Sequence, residues 1–336
     1  MSKLVLCTLR FTDELLDKLH AVSPDLEIVQ QTVHDVGELL DYPRLREVEV
    51  LYYGWLKPPA PADIPSVRWM QLHTAGANQL LNTPVLQTDI AITTASGVHS
   101  TPIAEYTFAQ ILALRRRVPL MLSYQRRSEW ARDRWANFAA PELRGATLGV
   151  VGYGRIGREV ARLGTAFGMN VLAVRRSHAP DPAYPRWNST PDWDASAVRF
   201  VDRENLHDLL ARSDFAVIAL PLTDATRHII DAAALRIMKP SAYLINIARG
   251  AVIDEGALVR ALKEGWIAGA GLDVFEQEPL PADSPLWQLD NVILSPHVSG
   301  FTPLYDSRAT DLFAENLRRY LAGQRLLNLF DPRRGY

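Results

Sequence analysis

The sequence predicts an α/β protein whose sheets are parallel and carry helices on both faces. Three observations lead there. Short apolar, β-branched runs alternate with helical patterns almost throughout the 336 residues. One such run, Thr147–Val151, feeds directly into a glycine-rich turn and an amphipathic helical pattern. A last amphipathic stretch, 309–321, follows the final strand pattern and could pack back on the N-terminal region, which would make that region discontinuous.

Taken in order, residues 3–8, Val50–Tyr53, 69–73 and 90–94 read as strands. Thr12 is placed to cap a short helix that buries Leu15, Leu16 and Leu19. The prolines of 57–61 can continue neither helix nor ladder, so that segment is a surface connection. Pro102 opens a helix over 103–116 whose apolar surface is Ile103, Phe108, Ile111, Leu112 and Leu114. An arginine- and tryptophan-rich segment then runs to about "PELRG" at 141–145. Thr147–Val151, Asn170–Val174, 215–220, 243–247, 267–272 and Val292–Leu294 have the continuous apolar character of buried parallel strands. Residues 177–199, with four prolines and three aspartates, read as a surface excursion with little regular structure. In the closing helix Leu312, Phe313, Leu317, Tyr320 and Leu321 recur near helical spacing, and Gly323 offers the stop.

Composition bounds the function. With 48% hydrophobic and 22% charged residues, the chain can build two ordinary domains with separate cores. A net charge of −2 gives no pull towards nucleic acid or an anionic membrane. The single cysteine, Cys7, lies in an apolar run, excludes an internal disulfide and fits a reducing compartment. No signal-peptide pattern opens the sequence and no apolar stretch approaches the ~18 residues a membrane span needs. The expectation is a soluble cytoplasmic protein without a metal site, a membrane or a nucleic-acid partner.

"GVVGYGRIGREVARLGTAFG", 149–168, holds Gly152, Gly154 and Gly157 in the spacing of a dinucleotide-binding turn. Ile156, Val160, Leu163 and Phe167 continue it as one helical face. Gly152 permits the tight turn, Gly154 lets backbone approach a pyrophosphate, and Gly157 allows helix–strand contact. The helix N-terminus then offers free N–H groups to the phosphates. About 20 residues beyond the first glycine a carboxylate would normally hold the ribose 2′-OH of NAD. Here the strand ends in Arg175, Arg176 and Ser177, which would bind a 2′-phosphate through charge-assisted hydrogen bonds. The site therefore reads as one for NADPH (NADP+), with NADH a weaker cofactor.

"NIARGAVIDEGALVRAL" and "GLDVFEQEPLPADSPLWQLDNVILSPHVSG", with the glycine turn, resemble the D-isomer-specific 2-hydroxyacid dehydrogenase family. The resemblance covers nearly the whole chain, is most specific over 143–300, and is nearest to the NADPH-using glyoxylate/hydroxypyruvate reductases of that family. It implies two Rossmann-like domains. One is a discontinuous, flavodoxin-like substrate domain of residues 1–104 and 299–336, and the other an inserted cofactor domain of 105–298. It also implies a homodimer and a small 2-keto or 2-hydroxy acid as substrate. By the same resemblance the catalytic trio is Arg249, Glu278 and His297. Arg249 would anchor the substrate carboxylate and carbonyl oxygen, His297 would donate the proton, and Glu278 would orient the imidazole.

The resemblance further implies that Arg155, Ile156, Leu220, Pro221, Thr226, Ala248 and Asp273 line the cofactor, Asp273 at its carboxamide end. The "HTAGANQL" loop, 73–80, would hold the substrate carboxylate through Ala75 and Gly76. Trp55, with Tyr52 and Tyr53, would either wall the substrate or lie in the core. Trp130 and Trp135 would either pack at a subunit contact or reach a neighbouring active site, or else lie on a covered helix face. Two alternatives stay open: a reductase for 2-keto acids with larger or aromatic side chains, and a nucleotide-sensing, corepressor-like binding protein. The formate dehydrogenase branch, which carries glutamine where Glu278 stands, fits less well.

Overall fold

The computed structural model describes residues 2–175 and 195–332. They form two compact units, one of 2–99 with 302–332, the other of 100–175 with 195–301. Each is built on its own parallel sheet.

The first unit runs β1 (Lys3–Cys7), α1 (Asp13–His20), β2 (Leu26–Gln30), α2 (Val36–Leu40), β3 (Val50–Tyr53), β4 (Trp69–Leu72) and β5 (Ala91–Thr93), and ends in the helix Tyr305–Leu321. Its strands lie in the order β2-β1-β3-β4-β5, all parallel, the flavodoxin arrangement. Alternate side chains go to opposite faces. Leu6, Leu51, Tyr53 and Met70 face Leu39, Leu45 and Leu80, while Cys7, Val50, Tyr52 and Trp69 face Leu15, Leu19, Phe313 and Leu317. The closing helix thus belongs to the N-terminal sheet, with Phe313 packed 4.6 Å from Tyr52 and 5.4 Å from Trp69. A buried polar chain completes the seam. Trp69 donates to Thr93 (2.8 Å), Thr93 to Gln71 (2.7 Å) and Asn316 to Gln71 (3.1 Å). Residues 328–330 bond along the free edge of β5 and cover it.

Two details of this unit differ from the sequence expectation. Thr12 does precede α1, but its hydroxyl makes no capping bond and its carbonyl alone receives Leu15 and Leu16. Strand β2 is not in the expected set. At the sheet edge it buries Leu26 and Ile28 and leaves Glu27 half-buried, so it alternates instead of forming a continuous apolar run.

The second unit opens with α3 (Ser100–Arg115), α4 (Val118–Arg126) and α5 (Arg134–Phe138). There follow β6 (Thr147–Val151), α6 (Arg155–Ala166), β7 (Asn170–Val174), β8 (Val198–Val201), α7 (Leu206–Arg212) and β9 (Phe215–Ile218). It closes with α8 (Ala232–Ile237), β10 (Tyr243–Asn246), α9 (Glu255–Lys263), β11 (Gly269–Leu272) and β12 (Val292–Leu294). Its parallel sheet has the order β8-β7-β6-β9-β10-β11-β12, a Rossmann order extended by one strand. Helices α3 and α6 cover one face through Phe108, Ile111, Val160 and Ala161. Helices α7 to α9 cover the other through Leu209, Leu235, Leu258 and Ala261. The order reverses between β6 and β9, and such a reversal opens a crevice at the carboxyl ends of the strands.

Here too the structure corrects particulars. Leu112, expected on the buried surface of α3, is exposed. The stripe that faces inward is Ile103, Thr107, Ile111 and Leu114 at helical spacing, and residue 112 lies off it. The expected excursion at 177–199 falls outside the described residues as far as 194. From 198 it is strand: β8 pairs in register with β7, Val171 opposite Val198 and Val174 opposite Val201. Trp130 and Trp135 are not on a covered helix face of their own unit; they are 82% and 84% exposed.

Candidate active site

Strand β6 ends in Gly152, whose φ of +109° suits glycine. A Cβ there would stand 2.5 Å from the Ala219 carbonyl oxygen, and one on Gly157 would stand 2.0 Å from that of Gly152. Both glycines are therefore fixed by the chain's own packing. Gly154 differs: a Cβ on it would meet no protein atom within 4 Å. Its missing side chain leaves room on the outer side, at the cap of α6, where the positive helix end favours an anion. Gly152 and Tyr153 donate to the Val174 carbonyl (3.2 and 3.1 Å), tying the turn to the end of β7.

Arg155 and Ile156 open α6, Ile156 half-buried against the α3–α6 core. Leu220 comes up beside Gly152 from the end of β9. The Thr226 hydroxyl donates to Pro221 O (2.7 Å) and accepts from Thr223 N (2.8 Å), so it closes the 221–226 turn. Ala248 is buried, its N–H held by Asn246 (3.1 Å).

Arg175 leaves the end of β7 with its guanidinium carbon 3.8 Å from the ring centroid of Phe200 on β8. Its Nε is shielded from solvent and finds no acceptor among the described residues. Arg176 and Ser177, predicted to share its role, lie outside the described residues. An open glycine face at a helix N-terminus fits a dinucleotide.

Arg249, Glu278 and His297 come from the ends of β10, β11 and β12, three adjacent strands. Asn246, buried, accepts from Ala248 N and donates to Arg249 O (both 3.1 Å), clamping the turn that carries Arg249. Gly250 lies flat on the next connection, since a Cβ there would fall 1.8 Å from the Phe275 carbonyl carbon. That connection bends back so that Phe275 N donates to one Glu278 oxygen (3.0 Å). The other Glu278 oxygen is 2.8 Å from His297 Nδ1. An ionised carboxylate only accepts, so this contact places a proton on Nδ1 and leaves Nε2 for a substrate.

His297 has a φ of +55°, unusual for a residue with a side chain, and the surrounding chain holds it there. Its N–H donates to Asp273 O (2.9 Å). The Asp273 carboxylate is fully buried and accepts from Ser295 Oγ (2.6 Å), Val298 N (2.9 Å) and Ser299 N (3.0 Å). Asp273, assigned by resemblance to the carboxamide end of the cofactor, thus commits its side chain to the loop that carries His297. Ser295 in turn bonds Tyr106 of α3, which Gln110 supports. Burial raises the Tyr106 phenol above its ordinary range, and the nearby Asp273 charge adds to this. Asn246, Tyr106 and Ser295 escape sequence reading because nothing in their spacing points to these partners. The "N" of "NIARG" is the one local signal.

In the first unit, the 73–76 loop follows β4 and the segment with Trp55 follows β3. Gln79 ties them, donating to Gly54 O (3.2 Å) and Thr74 Oγ1 (2.9 Å), while Thr74 donates to Gly76 O (2.6 Å). Ala75 and Gly76 are half-buried. Trp55 is 64% exposed with its ring 6.0 Å from His73, whereas Tyr52 and Tyr53 are core residues. His73 is buried and bonded through Nδ1 to Tyr52 (2.7 Å). Burial lowers its pKa, which Asp306 partly offsets. No described residues cluster as a metal site, and no described helix is long and apolar enough to cross a membrane.

A glycine turn at the switch point of a Rossmann sheet, with an Arg–Glu–His set on neighbouring strand ends, defines a nicotinamide-dependent dehydrogenase. Comparison with known proteins agrees. Residues 108–299 match the family model described as "D-isomer specific 2-hydroxyacid dehydrogenase, NAD binding domain". A glyoxylate reductase of Aeropyrum pernix is 42% identical over 239 residues, 70% of this chain and 68% of that protein. Among solved structures, a D-isomer specific 2-hydroxyacid dehydrogenase from Xanthobacter autotrophicus in complex with NADPH aligns over 100% of this chain and 99% of its own. Its TM-score is 0.78 and its identity 30%. An NADPH-dependent glyoxylate/hydroxypyruvate reductase from Sinorhizobium meliloti in complex with NADP aligns over 100% of both chains, with TM-score 0.76 and 25% identity. The chain belongs to the D-isomer-specific 2-hydroxyacid dehydrogenase family.

Proposed function

We propose that this chain is an NADPH-preferring reductase of small 2-keto acids, of the glyoxylate/hydroxypyruvate type, forming the D-2-hydroxy acid. The observation that carries the reading is the 2.8 Å contact of Glu278 with His297 Nδ1, beside a clamped Arg249 turn. The names of the relatives support the substrate class. The 105–298 domain is assigned the dinucleotide, held by Gly152, Gly154, Arg155, Ile156 and Gly157 at its phosphates and by Arg175 at a 2′-phosphate. The domain of 1–104 and 299–336 is assigned the substrate carboxylate, through backbone N–H groups at Ala75 and Gly76.

A reduced nicotinamide bound there supplies a hydride to the keto carbon. Arg249 anchors the carboxylate and polarises the keto oxygen with a planar, permanent cation. His297 gives its Nε2 proton to that oxygen as negative charge develops, an assistance worth roughly 10²–10⁴-fold. Glu278 keeps the imidazole oriented through its contact with Nδ1. We also infer a homodimer, with Met121, Leu122, Trp130 and Trp135 as the exposed apolar surface that would serve it.

The test follows absorbance of the reduced nicotinamide with glyoxylate, hydroxypyruvate, pyruvate or phenylpyruvate, each with NADPH and NADH. The expected result is rapid NADPH loss with a small acid, and a kcat/KM for NADH lower by about ten-fold (~1.4 kcal/mol). Preference for phenylpyruvate would favour the reductase of larger acids. Tight NADPH binding without turnover would favour a nucleotide sensor. Arg249→Ala should abolish turnover while NADPH still binds in a fluorescence titration, and near-normal kcat and KM in that variant would remove the anchor assignment.

A further inference from the structure

Residue Phe200 plays no part in the reading above, yet its ring bears on two residues that do. In the parallel pairing of β7 with β8 it stands opposite Ala173. Arg175 follows two residues later, immediately past the end of β7, so its side chain leaves on the same face and reaches the ring diagonally. The guanidinium carbon lies 3.8 Å from the ring centroid, which is a stack on the ring face. The ring is also in an edge-on contact with Tyr153 of the glycine turn, with centroids 4.9 Å apart and planes at 85°. Phe200 thus braces the arginine against the turn.

The stack decides what the arginine can do. The ring takes one side of the guanidinium and leaves its terminal N–H groups to address phosphate oxygens. It also restricts a long side chain that would otherwise sample many rotamers at a strand end. Arg175 Nε finds no acceptor among the described residues, so the ring is the partner seen for the guanidinium there. An acidic partner would hold the arginine equally well but would cancel the charge a 2′-phosphate needs. An aromatic face holds it without neutralising it.

We propose that Phe200 is a positioning residue for cofactor choice: by stacking on Arg175 it presets the guanidinium for the 2′-phosphate of the dinucleotide. This inference rests on the NADPH reading, and the experiment separates the two. The ratio of kcat/KM for NADPH to that for NADH is measured in the wild type and in Phe200→Leu, Phe200→Trp, Arg175→Ala and the Arg175→Ala/Phe200→Leu double variant. Dissociation constants for 2′,5′-ADP and 5′-AMP are measured alongside by calorimetry.

Phe200→Leu should lower the ratio by roughly two- to five-fold, through KM and not kcat, and weaken 2′,5′-ADP to the same degree. Phe200→Trp, which keeps an aromatic face, should retain the ratio. In the Arg175→Ala background the Leu substitution should have no further effect on the ratio, since nothing is left to position. If the wild type and Arg175→Ala treat the two cofactors alike, the NADPH reading itself fails. If Arg175→Ala lowers the ratio but Phe200→Leu does not, or lowers it equally without the arginine, the positioning role is overturned.

Discussion

His297 occupies a backbone conformation that few side-chain-bearing residues adopt, and Asp273 holds it there. The buried carboxylate of Asp273 receives one hydroxyl and two backbone N–H groups from the loop around His297. An asparagine would meet at least one of those donors with its own N–H. Asp273→Asn should therefore cost about 1–3 kcal/mol of stability, as for a buried donor left unpaired. It should also lower kcat as the histidine loses its geometry. Denaturant unfolding and steady-state rates, measured together, check both. His73 gives a pH-dependent counterpart in the first unit. Its burial keeps the folded-state pKa below the unfolded value of about 6.5, so the unfolded chain binds more protons as the pH falls. Stability should be full above that value and decline beneath it. His73→Gln should flatten this decline in thermal melts taken from neutral pH to about one unit below 6.5. An unchanged slope would assign the acid sensitivity to other groups.

At the level of elements, the glycine turn separates two kinds of requirement that its motif lists alike. Gly157 is demanded by the fold, because a Cβ would strike the Gly152 carbonyl, whereas Gly154 faces open space. Gly157→Ala should lower the melting temperature. Gly154→Ala should melt like the wild type and lose affinity for NADPH, which differential scanning fluorimetry and a binding titration distinguish. A destabilised Gly154→Ala would mean that the turn, not its ligand, needs that glycine. The same contrast governs the strands. Those in sheet interiors were legible because both faces are covered and the sequence is continuously apolar, as in Phe215–Ile218. The edge strands β2 and β8 were not, because an edge position tolerates Glu27 and Arg199 among its apolar residues.

Over the whole molecule, the N-terminal sheet depends on a helix almost three hundred residues away in sequence. Phe313 is fully buried between Tyr52 and Trp69, and its removal would leave a cavity in that face. Phe313→Ala should cost about 3–5 kcal/mol. It should leave the NADPH dissociation constant near the wild-type value under native conditions, because the dinucleotide is assigned to the other unit. Equilibrium unfolding and calorimetry give the two numbers, and an equal loss of NADPH affinity would contradict that division of labour.

The sequence by itself determined the fold class and the glycine turn, because these signals are local: a motif and a periodicity. Arg249, Glu278 and His297 were singled out by resemblance to a family, each just after a strand pattern. The sequence also pointed to the return of the last helix, since its apolar stripe had to be buried somewhere. The tertiary structure alone decided which groups hold those residues in place. Asp273 reaches a loop more than twenty residues on, Tyr106 reaches Ser295, and Phe200 reaches Arg175. Such pairs depend on which strands lie side by side, and strand order is set by the packing of both sheet faces at once, so no single stretch of sequence contains it.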